Sequence, residues 1–203
     1  MRTLIFLLMP LVAVLAPPCQ GQETAKLEKP DCVILLHGLI RTSKSMKAIA
    51  DALREEGFHV VNQDYPSRKF SIEELSTIAI DNGLAACRTT GAQHVHFVTH
   101  SLGGILVRYY LAEKVIPELG RTVMLAPPNQ GSSLVDLKQM FPELEDMSGP
   151  AVYQVGTTED SIPARLGPAI FEVGIIAGDH TVNPVMSEYL EKPNDGKVPV
   201  EST

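Results

Sequence analysis

Residues 95–104 read V-H-F-V-T-H-S-L-G-G, and they decide the fold. Val95 to Thr99 are the β-branched and apolar run of a buried strand, Ser101 follows, and from Gly104 a helical pattern runs to about Val115. A serine between a strand and a glycine-started helix has the setting of a nucleophile elbow. Small residues flank such a serine because its backbone is strained and strand and helix approach closely, which lifts the hydroxyl above the sheet. Thr99 stands where the first glycine of G-x-S-x-G usually stands, and Gly103 supplies the second. A serine that merely caps a helix is the plainer reading of the same residues; the strand-turn-helix context favours the elbow.

Upstream, C-V-I-L-L-H at 32–37 is continuous and apolar, as a strand buried on both faces of a parallel sheet must be. Met46, Ile49, Ala50 and Leu53 recur at helical spacing, and Gly57 is placed to end that helix in a left-handed conformation. Val60 and Val61 mark a second strand, which Tyr65, Pro66 and Ser67 leave as a loop. Ser71 and Glu74 form a capping box, and Ile72, Leu75, Ile78 and Ala79 give the helix after it an apolar face. Downstream, R-T-V-M-L-A at 121–126 and E-V-G-I-I-A at 172–177 read as two more strands, with long loops and short helices over residues 127–168. Strands alternating with helices predict an α/β fold, a mostly parallel sheet with helices on both faces.

The chain of 203 residues is long enough for one such domain. Its net charge of −7 comes with scattered Lys and Arg and no basic cluster, so nucleic acid is excluded as a partner. Arg2, the apolar run from Leu4 to Leu15 and the break at Pro17 and Pro18 predict a signal peptide over residues 1–21, followed by the domain at 22–203. The run is shorter than the roughly 18 residues that span a bilayer, so no membrane span is expected after cleavage. The protein is expected to be exported, periplasmic or secreted. Cys19 follows the run as a lipidated cysteine would, but Pro17 and Pro18 replace the small residues expected before it. Cys32 and Cys87 then remain as a pair in an oxidising compartment, as a disulfide or as two buried thiols.

His37, Gly38 and Leu39 end the first strand at the same carboxyl edge as Ser101, the edge where ligands bind in parallel sheets. Acyl transfer needs donors for the oxyanion of its tetrahedral intermediate, and the backbone N–H groups of Leu39 and Leu102 are the candidates. Leu39, Leu102, Tyr65 and Met140 suggest an apolar approach, suited to a small-molecule or lipid ester. No cofactor is expected. A rival reading takes His94, His96 and His100 as zinc ligands, although no acidic or thiol ligand accompanies them in sequence.

The segments L-L-H-G-L (35–39), D-Y-P-S-R (64–68), H-F-V-T-H-S-L-G-G-I-L-V-R (96–108), M-L-A-P-P-N-Q-G-S (124–132) and P-N-D-G-K-V (193–198) together resemble the lipase and esterase branch of the α/β-hydrolase superfamily, in particular bacterial exported proteins related to triacylglycerol lipases. The resemblance implies a serine hydrolase of carboxylic esters, with Ser101 as nucleophile and Asp195 as the triad acid. Asn-Asp-Gly is also a plain turn sequence. The family pattern puts a histidine after one more strand, and Thr203 comes before it; a domain incomplete at its C-terminal end is therefore expected, with E-V-G-I-I-A left at a sheet edge. His100 adjoins Ser101, but neighbouring side chains there diverge, which leaves His180 as the substitute base. Without a base, a non-catalytic binding protein on the same scaffold is the alternative.

Overall fold

The computed structural model describes residues 30–137, 149–181 and 183–203. The expected leader, Cys19 and Met140 lie outside them. Five strands, β1 (Cys32–Leu36), β2 (His59–Gln63), β3 (Val95–His100), β4 (Leu119–Leu125) and β5 (Val173–Ile176), form one sheet in the order β2-β1-β3-β4-β5. Every pairing is parallel.

The continuous apolar run of β1 is explained by its position, second from one edge and covered on both faces. Cys32, Ile34 and Leu36 point into the larger core, against α2 (Ile72–Thr90) and α3 (Leu102–Glu113). Val33 and Leu35 point the other way, toward α1 (Lys47–Glu55), where Met46, Ala50 and Val60 close the smaller core. Alternate residues of a strand face opposite sides, so a strand buried on both sides has no polar position. Gly83 lets α2 settle on β1, since a Cβ there would lie 2.9 Å from two carbons of Ile34.

Both helix signals upstream are realised. Gly57 has φ +90° just after α1. Ser71 and Glu74 cap α2 reciprocally, the Glu74 N–H donating to Ser71 Oγ and the Ser71 N–H to Glu74 Oε2. The apolar face of α2 continues past Ala79 to Ile80, Leu84 and Cys87, all buried. Cys87 is bridged to Cys32 with Cα atoms 5.6 Å apart, fastening α2 to the first residue of β1. The helix after the elbow begins at Leu102 and not at Gly104, and it ends at Glu113, leaving Val115 exposed. Ser101 alone makes the turn, so the residue after it is already helical.

Residues 127–168 carry α4 (Ser133–Leu137), a 3₁₀ turn at Pro150–Val155 and α5 (Ile162–Leu166), and α6 (Pro184–Ser187) follows β5. Arg108 of α3 ties this region down. Its buried guanidinium donates to the Asn129 carbonyl and side chain, each at 3.0 Å, and to the carbonyls of Pro163 and Gly167. Four oxygens around a cation that no carboxylate reaches among the described residues make Arg108 a structural bracket. Among the described residues β5 is an edge strand, paired to β4 alone, with Ile175 and Ile176 exposed.

Candidate active site

Among the described residues three non-glycine residues have positive φ, Ile40 (60°), Ser101 (51°) and Ala126 (43°), and all follow the carboxyl ends of β1, β3 or β4. Ser101, at φ 51° and ψ −119°, lies outside the regions open to ordinary residues. Such strain persists only where the surroundings hold it, and they do. The Ser101 N–H donates to the Leu125 carbonyl at 2.9 Å, and its own carbonyl accepts from Gly104 at 3.0 Å. Glycine is required beside it. A Cβ on Gly103 would stand 2.7 Å from the Leu36 carbonyl oxygen, and one on Gly38 would stand 2.8 Å from His100 Nδ1 and 3.2 Å from Ser101 Cβ. The first of these contacts packs α3 against β1; the second brings the loop after β1 over the serine.

A cavity of about 410 Å³ opens at this edge. Ser101, His100, Gly38, Leu39 and Leu102 line it together, and Ile40, Val135, Val152, Val155, Met186 and Val198 make most of its wall apolar. Neither the Leu39 nor the Leu102 backbone N–H donates to a protein acceptor among the described residues. The second belongs to the first residue of a twelve-residue helix, whose aligned peptide dipoles favour negative charge there. Val152 and Val155 come from the 3₁₀ turn, whose short aperiodic sequence gave no sign of a site role.

The loop bearing Asp195 reaches the same place. A Cβ on Gly178, just past β5, would lie 2.9 Å from Asp195 Cβ, and the next three residues, Gly196, Lys197 and Val198, line the cavity. Asp195 Oδ1 accepts the N–H groups of Lys197 and Val198, each at 2.8 Å, so the turn expected of Asn-Asp-Gly and a position beside the cavity coexist. Its charge is felt by His100. Burial chiefly, then the positive charges of Lys197 and Arg41, hold the His100 pKa below the usual imidazole value, and Asp195 acts in the opposite direction.

None of the six histidines hydrogen-bonds Ser101 among the described residues. His37 is fully buried, stacked on Tyr65 at 4.1 Å, with Nδ1 2.9 Å from the Gly38 carbonyl. The Tyr65 hydroxyl in turn donates to the His37 carbonyl, so this pair shapes the loop over the serine. His59 begins β2. His180 is 93% exposed, pairs with Asp179 at 2.5 Å and does not line the cavity. His100 alone of the imidazoles lines it.

His94 and His96 lie at the opposite, amino end of the sheet from His100. They do have an acidic neighbour, Asp31, which the sequence did not reveal because it is 63 residues from His94. Its two oxygens lie 3.2 Å from His94 Nδ1 and 3.3 Å from His96 Nε2. The His96 Nδ1 accepts the Arg121 N–H at 2.8 Å, so the ring proton sits on Nε2 and is given to Asp31. A metal at that nitrogen would have to displace this proton. Among the described residues no group of three or more His, Cys, Asp or Glu is arranged to hold a metal ion.

The architecture matches solved structures at low sequence identity. The mature form of the lipase BlEst2 from Bacillus licheniformis aligns with a TM-score of 0.60 at 17% identity, over 89% of this chain and 81% of that one. Its propeptide form aligns with a TM-score of 0.66 at 19% identity over the same share of this chain, which spans 44% of that longer chain. Phospholipase PlaB from Legionella pneumophila aligns with a TM-score of 0.68 at 18% identity, over 85% of this chain and 45% of that one. No curated protein matches the sequence. The family model for the alpha/beta hydrolase fold matches residues 31–169, which take in β1 through β4, the elbow and α5. With four of the five parallel strands, the strained serine and the glycine contacts around it within that span, the chain belongs to the α/β hydrolase fold family.

Proposed function

We propose that the protein is a serine hydrolase of carboxylic esters, with Ser101 as nucleophile. The observation that carries this reading is the strained Ser101 backbone beside two unengaged N–H groups at the edge of an apolar cavity. Ser101 Oγ forms a bond to the ester carbonyl carbon, and the carbonyl electrons move to its oxygen, opposite the Leu39 and Leu102 N–H groups. Collapse of this intermediate breaks the bond to the alcohol, which leaves with the proton given up by the serine. Water then attacks the acyl-serine, releasing the carboxylic acid and restoring the hydroxyl. Asp195 supports the imidazolium formed when a histidine takes the proton. Of the imidazoles in this chain, His100 is favoured over His180 for that role by its place in the cavity. The protein acts outside the cytoplasm, a setting supported by the Cys32–Cys87 bridge.

A fluorophosphonate probe is expected to label wild-type protein and not Ser101→Ala; equal labelling of the two would remove Ser101 from the mechanism. His100→Gln is expected to abolish release of 4-nitrophenol from 4-nitrophenyl butyrate and His180→Gln to leave it intact, with the reverse outcome restoring His180 as base. EDTA is expected to change neither labelling nor release. A second reading, a binding protein on this scaffold, is favoured by the histidine contacts among the described residues, none of which is to Ser101. Labelling without release of nitrophenol beyond one equivalent would establish it.

A further inference from the structure

The cations scattered in sequence are gathered in space on the Ser101 edge. Arg41 lines the Ser101 cavity and also a second, more polar cleft of about 590 Å³, whose wall includes Thr42, Asp64, Arg68 and Lys69. Lys197 lines the Ser101 cavity. All four cations are exposed, and none has a carboxylate within 4 Å among the described residues. Elsewhere Lys47, Arg54, Arg88, Lys114, Arg121 and Lys192 are each paired with a carboxylate, while Lys44 and Arg165 have none within 4 Å among the described residues. Among the described residues of a chain of net charge −7, these four unpaired cations together make a positive region. The cleft also holds one acid, Asp64, whose Oδ1 accepts the Ser43 N–H at 3.0 Å and lies 3.3 Å from His37 Nε2, so three cations there face one carboxylate. The field also reaches the cavity, where Arg41 and Lys197 both disfavour the protonated form of His100.

We propose that the cleft lined by Arg41, Arg68 and Lys69 is an anion subsite, which seats a phosphate or carboxylate on the alcohol part of an ester whose acyl chain fills the apolar cavity beside Ser101. This rests on the ester-hydrolase reading and narrows it to anionic amphiphiles. Arg41 is shared by the two cavities and so puts the charged and apolar ends of one substrate on either side of the same residue. The guanidinium groups of Arg41 and Arg68 suit the planar, multi-oxygen face of either anion.

The test uses the folded chain carrying Ser101→Ala, so that binding is read without turnover, and two probes kept below their aggregation concentration, dodecyl phosphate and dodecyl maltoside. Titration calorimetry is expected to show the phosphate binding about tenfold more tightly, as a few partly screened charge contacts would produce. Raising NaCl from about 0.05 to about 0.5 M is expected to shrink the difference, because the Debye length falls below the spacing of the groups. Arg68→Gln with Lys69→Gln is expected to bring the two affinities together, whereas Arg88→Gln, which removes a paired cation on α2, keeps them apart. Inorganic phosphate is expected to compete with dodecyl phosphate alone. Equal affinities in the parent protein, or a preference that survives the double substitution, would overturn the subsite. So would binding to phosphatidylglycerol vesicles with none to monomeric dodecyl phosphate, which would make the region a membrane-facing surface. Fluorophosphonate labelling of the unsubstituted chain separates the two layers: no labelling defeats the hydrolase reading, and labelling without anion preference defeats the subsite alone.

Discussion

At the elbow, the residues that look interchangeable in sequence have separate physical tasks. Ser101 carries the strained backbone, Gly103 admits the Leu36 carbonyl, and Gly38 admits the His100 ring. Thr99 is different. It stands in a glycine's usual place, is fully buried, and its Oγ1 has no hydrogen-bond partner among the described residues, while a Cβ on Gly104 would lie 3.3 Å from that atom. A buried hydroxyl without a partner costs about 1–3 kcal/mol, and replacing it by a methyl of similar size removes that cost. Thr99→Val is therefore expected to stabilise the protein by about 1 kcal/mol in urea denaturation; a loss of stability would mean that the hydroxyl has an acceptor or an ordered water. The elbow itself was legible because strand, serine and glycine are contiguous. The place of His100 was not. Whether neighbouring side chains on a strained turn diverge depends on its φ and ψ, and these put both Ser101 and His100 on the cavity.

Between elements, the Asp31 cluster joins the start of β1 to the start of β3. Asp31 accepts the His94 N–H at 3.3 Å in addition to its contacts with the two rings. Burial works against its charge but is outweighed by the hydrogen bonds from His96 and His94, which hold the carboxyl below its ordinary range. A carboxyl whose folded pKa is depressed contributes stability above its unfolded pKa and loses it as pH falls through the folded value. The wild type is thus expected to lose stability below about pH 4 through this group, and Asp31→Asn to be less stable near neutral pH by about 1 kcal/mol, since the site is partly exposed. Denaturation midpoints at a series of pH values check this. An unchanged difference between the two proteins from pH 7 down to pH 3 would show that the cluster is not an ionic clamp. His94 and His96 were visible in sequence as neighbouring histidines, but their acidic partner was not, because the parallel pairing of Cys32 with Val95 is what brings Asp31 alongside.

For the molecule as a whole, β5 is the exposed feature. Its outer backbone groups are unpaired among the described residues, and Ile175 and Ile176 are 44% and 60% exposed. An apolar edge is a template for pairing with another chain. Ile176→Lys is expected to suppress concentration-dependent association in sedimentation velocity without changing the circular dichroism spectrum, since a charge on an edge strand opposes sheet extension. Association at the wild-type level in this variant would move the contact elsewhere. Among the described residues no helix is long and apolar enough to cross a membrane.

By itself the sequence determined the alternation of strands and helices, the capping of α2, the glycine ends and the serine elbow. Each depends on residues within one turn or one strand of each other, where covalent geometry and local hydrogen bonds leave few choices. It also put Asp195 in a turn, since Asn-Asp-Gly favours one locally. Tertiary structure alone decided which distant residues meet. Cys32 and Cys87 are bridged because α2 lies over β1, Asp195 comes against Gly178 because its loop folds back past β5, and Arg41, Arg68, Lys69 and Lys197 share an edge because parallel strands deliver every loop that follows them to the same side. A composition that read as scattered charge became one positive region for that topological reason, which no window of sequence contains.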